Sequence, residues 1–478
     1  MRRLTKILIA LLAILAVITP IFAVFSIVLF TPPVYSDTFY GALDEKYERL
    51  TSIEEDKIII VGGSSVAFGI DSELMEKTLG RPVVNFGLYA AIGTKAMLDL
   101  SRAGVEEGDI VVLAPELDAQ TLSMYFSSKN FIMSLDDDYS MLRYVRGDNK
   151  LSLIGAAWDH AINKVKYLRE GAPDPEGIYN IDSFNEYLDI AMGMRQENIM
   201  PLYYDPTAVI SLEPEMLSSE FAEYINEYIE FCESKGATVY FSFAPINELA
   251  VEDASAEKLT AFTDSLKSRI DCNFISILDS YIMEPGYFYD TNYHLNDAGV
   301  VKRCAQLCQD ISLFEGIKAA EIRVPPAPEL PVRDVSYSGY DPNEIYFTYE
   351  KLPSGALMIT GLSEEGRGKS ALTVPLGAQG TRVTHIGEGA FSGTSLDRLN
   401  VPEDTYLRQF LDGAFRDSNV KELWIYYDFG ANEDEKLSPC SDFYGMEIHF
   451  PPNSAYLMHY DWNESSGGFT RVFDAVLE

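Results

Sequence analysis

Basic residues, histidines and cysteines are all scarce in this chain of 478 residues. Lysine and arginine number 37 against 73 aspartates and glutamates, so the formal net charge at pH 7 is −36. A chain this acidic repels phosphate backbones, which argues against a nucleic-acid partner. Five cysteines and five histidines, with no Cys-x-x-Cys pair, do not form a zinc-site pattern or a disulfide scaffold. We therefore expect no metal and no other cofactor.

One long apolar run stands at the N-terminus, where residues 7–30 form a nearly unbroken stretch of 24. Such a run spans a bilayer core of about 30 Å. Arg2, Arg3 and Lys6 precede it without any acid, so the positive-inside rule places the N-terminus in the cytoplasm. We predict a single-pass anchor in the cell membrane at residues 1–35, with the bulk of the chain extracellular. A cleaved signal peptide is the alternative.

Short apolar runs alternate with helical periods between residues 40 and 320. Hydrophobic residues make up 47% of the chain, which is enough for a large core. The patterns predict strands at 57–61, 82–86, 109–114, 238–243 and 273–277, and helices at 71–79, 94–103, 218–234, 254–270 and 296–313. This alternation predicts an α/β domain, a three-layer doubly wound parallel sheet covered by helices on both faces. The less regular residues 116–210 are predicted to be an insertion.

A proline-rich stretch at residues 323–335 predicts a stiff linker to a second domain at 336–478. A repeat follows in that domain, with a constant offset of 24 residues: Ile386, Gly389-Ala390-Phe391, Leu396 and Leu399 recur as Phe410, Gly413-Ala414-Phe415, Val420 and Leu423. A period in the twenties is typical of a leucine-rich-repeat solenoid. The text VTHIGEGAFSGTSLDRLNVP resembles the BspA-type repeat of bacterial surface proteins, which implies a protein partner for the repeats.

Candidate chemical groups follow the predicted strands, where ligands bind in parallel sheets. The first strand ends in a turn that exposes the hydroxyls of Ser64 and Ser65, although an ordinary strand–helix turn is the alternative. The second strand ends at Asn85 and Gly87, and the Gly87 N–H is expected to stabilise an oxyanion. His294 lies in a polar run before the last helix. Because His160 is the only other histidine between residues 57 and 322, His294 is the expected general base.

These pieces together resemble the SGNH (GDSL-type) hydrolase superfamily over residues 57–315. The resemblance implies Ser65 as nucleophile, His294 as base and Asp290 as the residue that orients it. Asp297, in the first turn of the last helix, and the neutral Asn292 are the alternatives to Asp290. It also implies oxyanion or substrate-binding roles for Gly87, Asn85 and Ser64. Three departures stand out: Ser64 replaces an aspartate, Asp290 precedes the histidine by four positions rather than three, and the third strand is followed by Glu116 with no asparagine.

The Gly-Ser-Ser form, the anchor and the phrase FSFAPIN at residues 241–247 resemble one branch of the superfamily. That branch handles acyl groups on surface polymers, as in the D-alanine transfer proteins of teichoic-acid modification and the alginate acetylation proteins. We expect an anchored extracellular serine esterase or O-acyltransferase acting on an acyl ester of a surface glycan. The alternative is an inactive SGNH-frame protein that binds a partner through its repeats. Asp136-Asp137-Asp138 is interpreted as a solvated loop rather than a calcium site.

Overall fold

The chain folds into two compact units, of which one comprises residues 1–200 and 208–330 and the other residues 201–207 and 331–478. The computed structural model describes residues 19–20, 22–172, 177–206, 208–411, 413–426, 446–449 and 470–472. The change of unit at residue 331 falls within the predicted linker. Residues 201–207 were expected in the insertion of the first domain but belong to the second unit.

The predicted membrane anchor lies mostly outside the described residues. Within it, residues 22–30 are helical. Across the part of the chain that the structure describes, no helix is both long enough and apolar enough to cross a membrane.

The first unit is an α/β unit with a five-stranded parallel sheet. Its strands are β1 (Ile58–Gly62), β2 (Val83–Gly87), β3 (Ile110–Leu113), β4 (Thr238–Phe241) and β6 (Asn273–Phe274), with β5 (Ile246–Asn247) and β7 (Ile282–Met283) pairing separately. The spatial order is β2-β1-β3-β4-β6, and every pairing in this sheet is parallel. The predicted parallel sheet is therefore confirmed, with strand bounds close to those expected.

Helices connect the strands and cover them. They are α1 (Ala42–Ser52), α2 (Ser64–Ala67), α3 (Ser72–Leu79), α4 (Thr94–Ser101), α5 (Ala119–Leu122), α6 (Ser128–Ser134), α7 (Gly147–Glu170), α8 (Ser219–Ser234), α9 (Ala256–Lys267) and α10 (Asp297–Glu315). Ile58 and Ile60 of β1 join a cluster with α3 and α10, whereas the alternate residue Ile59 is buried outside that cluster. Because neighbouring strand residues point to opposite faces, both faces of the sheet are buried.

Several helix starts follow directly from the sequence. The side chains of Asp71, Ser218 and Asn296 each accept a backbone N–H in the first turn of α3, α8 and α10. Such caps satisfy donors that the helix itself cannot, contributing about 1 kcal/mol each. They fix where each helix begins, and α10 therefore starts three residues after His294.

The second unit is built from strands that stack at the repeat period, most of them in parallel. Its strands are β8 (Phe347–Lys351), β9 (Leu357–Leu362), β10 (Ala371–Thr373), β11 (Gly377–Ala378), β12 (Thr381–Ile386), β13 (Arg398–Val401), β14 (Gln409–Phe410), β15 (Glu422–Ile425), β16 (Glu447–His449) and β17 (Thr470–Val472). One sheet has the order β10-β13-β15-β16-β17, all parallel. Leu399 pairs with Leu423, and Ile386 with Phe410, so equivalent repeat positions are neighbours in space.

The core of the second unit is apolar. Phe391 and Phe415, which occupy equivalent repeat positions, stack with ring centroids 5.1 Å apart. Gly389 and Gly413 both have positive φ, of 66° and 81°, so the repeat needs a residue that tolerates this backbone conformation. The repeating Gly-Ala-Phe thus encodes a turn followed by a core residue, as expected for a solenoid.

Candidate active site

Ser65 lies in the turn that leaves β1, at the carboxyl edge of the parallel sheet. Gly63 precedes α2, and a Cβ built on it would lie 2.6 Å from a carboxylate oxygen of Glu116. A side chain at this position would collide with that carboxyl group, so glycine is required for the close approach. The sequence was expected to bring Ser64 and Ser65 to this edge, and both are in α2, although both are buried.

An acidic and a basic side chain bracket the Ser65 backbone. Glu116 Oε1 accepts the Ser65 N–H at 2.7 Å, and Arg303 Nη1 from α10 donates to the Ser65 carbonyl. Burial raises the pKa of Glu116, although the Ser65 N–H opposes this change, and burial lowers the pKa of Arg303. Glu116 thus lies in the segment that follows β3 and contacts the turn of Ser65.

Several buried polar atoms around this turn have no hydrogen-bond partner within the described structure. They are Ser65 Oγ, Glu116 Oε2, Tyr293 Oη, and Nε and Nη2 of Arg303. Burial raises the pKa of Tyr293, and the charges of Asp118 and Glu116 raise it further, so its ring lies near that acid. Buried polar atoms are usually paired, and such a concentration of unpaired ones is typical of a site that receives a ligand or water.

His294 and Asp290 are held together as an oriented pair. His294 Nδ1 lies 2.8 Å from Asp290 Oδ1, and the Tyr179 hydroxyl donates to Asp290 Oδ2 at 2.5 Å. Burial would raise the pKa of Asp290, but the charge of His294 and the hydrogen bonds from His294 and Tyr179 hold it below its usual range. A carboxylate at Nδ1 favours the tautomer with the proton on that nitrogen, which leaves Nε2 free to accept one.

The imidazole is fixed by stacking as well as by hydrogen bonding. The His294 ring lies 4.0 Å from the ring of Phe68 at an interplanar angle of 6°. Phe68 is three residues after Ser65 and closes the same turn, since its N–H donates to the Ser64 carbonyl. The structure thus brings Asp290 and His294 to the turn of Ser65.

Aromatic rings surround Tyr179, the tyrosine that contacts Asp290. Tyr179 packs against Phe68, Phe39 and Tyr89, with centroids 5.5, 5.6 and 6.3 Å apart. Burial raises the pKa of Tyr89, and the nearby Asp290 charge adds to this. Tyr179 belongs to the insertion at residues 116–210, so the insertion contributes a direct partner to the acid of the pair.

The geometry at Gly87 and Asn85 differs from the oxyanion role expected for them. The Gly87 N–H donates to Asn85 Oδ1 at 3.2 Å. A Cβ on Gly87 would meet Val66 Cβ at 2.5 Å and the Gly63 carbonyl at 2.7 Å. The missing side chain therefore allows α2 to approach β2, rather than allowing a ligand to approach the backbone.

Asn85 serves a buried polar network instead. Its Nδ2 donates to Asp189 Oδ1 at 2.8 Å, and its carbonyl accepts Lys46 Nζ at 2.9 Å. Burial lowers the pKa of Lys46 to about 7, although Asp189 opposes this, and burial raises the pKa of Asp189. The network ties α1, β2 and the insertion together behind the sheet edge.

Asp297, the alternative orienting residue, contacts Gly193 and Arg195. Its Oδ2 accepts the Gly193 N–H at 2.8 Å, and its Oδ1 lies 3.8 Å from Arg195 Nε. Asn292, the neutral alternative, donates to the Ala208 carbonyl. Of the three candidates, Asp290 is the one that contacts the imidazole.

Three residues of this site were not identified from the sequence: Glu116, Arg303 and Tyr179. In the sequence, Glu116 stood out only as a departure from the superfamily pattern. An acid shortly after a buried strand is itself an indication of a functional site. Arg303 falls on the apolar side of α10, at a position where a charged residue breaks the helical pattern. Tyr179 carries no local signal, because its contact with Asp290 spans 111 positions.

The described residues contain no group of three or more His, Cys, Asp or Glu side chains that could hold a metal ion. Asp136 is not part of a solvated loop, because its buried carboxylate accepts from Lys164 Nζ at 2.5 Å and lies 3.1 Å from His160 Nε2. The described cysteines are free thiols, namely Cys232, Cys272, Cys304 and Cys308. The remaining Cys440 lies outside the described residues.

Two solved structures are similar to part of this chain. A leucine-rich repeat protein from Bacteroides capillosus is 18% identical, with a TM-score of 0.17, over 22% of this chain and 94% of that one. The leucine-rich repeat protein of T. pallidum, TpLRR, is also 18% identical, with a TM-score of 0.13, over 22% of this chain and 51% of that one. The chain thus spans about half the length of TpLRR. No protein-family model and no curated protein matches the chain.

Proposed function

We propose that the first unit is an SGNH-type serine esterase or O-acyltransferase with a three-layer doubly wound sheet. The observation that carries the proposal is the Asp290–His294 pair, fixed at 2.8 Å and stacked on Phe68 beside the turn of Ser65. A base oriented by a buried acid next to a serine hydroxyl is the arrangement that activates a nucleophile.

The proposed reaction begins when His294 Nε2 removes the proton from Ser65 Oγ. Oγ then attacks the acyl carbonyl carbon, and the protonated imidazole, stabilised by Asp290, returns the proton to the departing alkoxide oxygen. An acyl-serine remains, and water or a sugar hydroxyl releases the acyl group. Water makes the protein an esterase and a sugar hydroxyl makes it an acyltransferase.

The protonation state of Glu116 is expected to affect the rate of this reaction. Its carboxyl group holds the Ser65 N–H, and a carboxylate there would oppose negative charge on the substrate oxygen. The raised pKa of Glu116 favours the neutral carboxylic acid, which removes that repulsion. The proposal therefore expects turnover to be faster with Glu116 protonated than with it ionised.

The aromatic rings around Tyr179 suit an acyl chain or the face of a sugar ring, since such rings offer apolar area with a polar hydroxyl. Together with the apolar N-terminal run, this supports an acyl ester of a cell-surface glycan as substrate. The chain would be held in the cell membrane with its bulk outside, and the BspA-type repeats would bind a protein partner.

A second function is favoured by a separate observation. The Ser65 and Gly87 N–H groups both donate to side chains of the protein itself. If no substrate displaces those side chains, the SGNH frame is inactive and the repeats alone carry the function.

Hydrolysis of 4-nitrophenyl acetate separates the two functions. The proposal expects turnover by the full chain, and its loss in Ser65→Ala and in His294→Ala. Ser392→Ala in the repeat unit is the control and should leave turnover unchanged. Equal rates for the full chain and Ser65→Ala would contradict a serine esterase.

A further inference from the structure

An apolar stripe runs along the exposed side of α7. Leu151, Ile154, Trp158 and Ile162 are 70%, 56%, 51% and 55% exposed. Their spacings of three, four and four residues place them on one side of the helix, separate from its buried face. Large apolar side chains are exposed singly on most proteins, whereas a contiguous row marks a contact surface.

A second exposed apolar surface lies on the helical residues 22–30. Phe22, Leu29 and Phe30 are 70%, 51% and 82% exposed. This helix is the described end of the apolar N-terminal run. The two surfaces have the same chemistry, and both belong to the first unit.

Buried contacts hold the end of that helix against α7. Lys164 Nζ of α7 donates to the Val28 carbonyl at 3.3 Å and to Asp136 Oδ1 at 2.5 Å. The other oxygen of Asp136 accepts the Val34 N–H at 2.7 Å. Val28 and Val34 are themselves buried, so the chain that leaves the helix is held against the buried side of α7.

We propose that the apolar stripe of α7 lies on the surface of the lipid bilayer that holds the N-terminal apolar run. The inference rests on the membrane anchor in the proposed function and is independent of the serine chemistry. It assigns α7 as an interfacial helix that fixes the first unit against the membrane.

The composition of α7 supports a lipid rather than a protein partner. A tryptophan among aliphatic residues, with Lys150, Lys166 and Arg169 exposed elsewhere on the helix, is typical of interfacial helices. The chain as a whole carries a net charge of −36, so anionic headgroups do not attract it. The contact should therefore depend on apolar burial and form on zwitterionic lipid.

Fluorescence quenching by brominated lipid tests the proposal on the full chain reconstituted into phosphatidylcholine vesicles. The emission of Trp158 is obtained as the difference between the unmodified chain and Trp158→Phe. We expect this difference emission to be lost when the acyl chains carry bromine. In the matched control, Trp158→Phe with Ser152→Trp, the new tryptophan lies about 120° around the helix and should keep most of its emission.

Three results would overturn the inference. Trp158 emission that is insensitive to bromine, in chains that sediment with the vesicles, would place the stripe away from lipid. Emission that instead depends on protein concentration would indicate a second copy of the chain on the stripe. Failure of the full chain to sediment with vesicles would remove the bilayer contact altogether, while leaving ester hydrolysis by Ser65 as a separate question.

Discussion

The two units use parallel strands for different purposes. In the first unit, the segments after the strands and helix α10 bury acids and bases, including Glu116, His294 and Arg303, with several polar atoms unpaired. In the second, the cluster between the stacked sheets is aliphatic and aromatic. Its buried His385 is kept neutral, because burial lowers its pKa to about 3. Unpaired buried groups cost stability, so those gathered around the turn of Ser65 are the reason for proposing chemistry there.

The largest expected effect is on the proposed base. Asp290→Asn should lower 4-nitrophenyl acetate turnover by about 10⁴, because an asparagine favours the wrong imidazole tautomer. The matched control is Asp297→Asn, whose side chain contacts Arg195 and the Gly193 N–H instead. Loss of turnover in Asp297→Asn with none in Asp290→Asn would reverse the assignment.

The stability of the repeat unit should depend on the packing of its core rather than on charged groups. Phe391→Ala removes a fully buried ring that stacks on Phe415, and it should lower the free energy of unfolding by about 3–5 kcal/mol. Urea unfolding followed by Trp424 fluorescence measures this. Tyr340→Ala, at a side chain 75% exposed, is the control and should change it by less than about 0.5 kcal/mol. Equal effects of the two variants would contradict a packed core.

Gly87 tests whether close packing of α2 on β2 positions Ser65. Gly87→Ala places a Cβ 2.5 Å from Val66 Cβ, so it should destabilise the first unit by about 1–3 kcal/mol and lower turnover. Gly155→Ala in α7 meets no atom within 4 Å and should stabilise the helix by up to about 1 kcal/mol. Thermal unfolding of both variants provides the comparison, and a neutral Gly87→Ala would show that the contact is dispensable.

Glu116 should affect the pH profile more than the maximal rate. The pKa of Glu116 is raised, so turnover should fall as pH rises through that pKa and the carboxylate forms beside Ser65. Glu116→Gln is neutral at every pH and should lose this alkaline decline. The rate on 4-nitrophenyl acetate from pH 4 to 9 measures the effect. An unchanged profile would mean that Glu116 does not titrate in the working range.

The sequence predicted most elements of the fold because they depend on local patterns. The strand before Ser65, the cap at Asp71 and the offset of 24 between Phe391 and Phe415 are all visible within a short window. The site was less predictable, because its partners are distant in sequence. Glu116 reaches Ser65 across 51 positions, and neither residue reveals the other.

Gly87 also shows that the sequence alone leaves the role of a residue open. A glycine at the end of a strand is compatible with an oxyanion site and with close helix packing, and the sequence does not distinguish them. The structure shows the packing requirement, because the space beside Gly87 is filled by Val66. Tertiary contacts decide whether a glycine makes room for a ligand or for a packed helix.

The most direct test of the central claim is the site of a fluorophosphonate adduct on the full chain. The reagent reacts only with an activated serine, so peptide mass spectrometry should locate one adduct, on Ser65, and none in His294→Ala. An adduct on a different serine would contradict the assignment of Ser65. No adduct at any pH from 4 to 9 would contradict the proposal that the first unit is a serine esterase or acyltransferase.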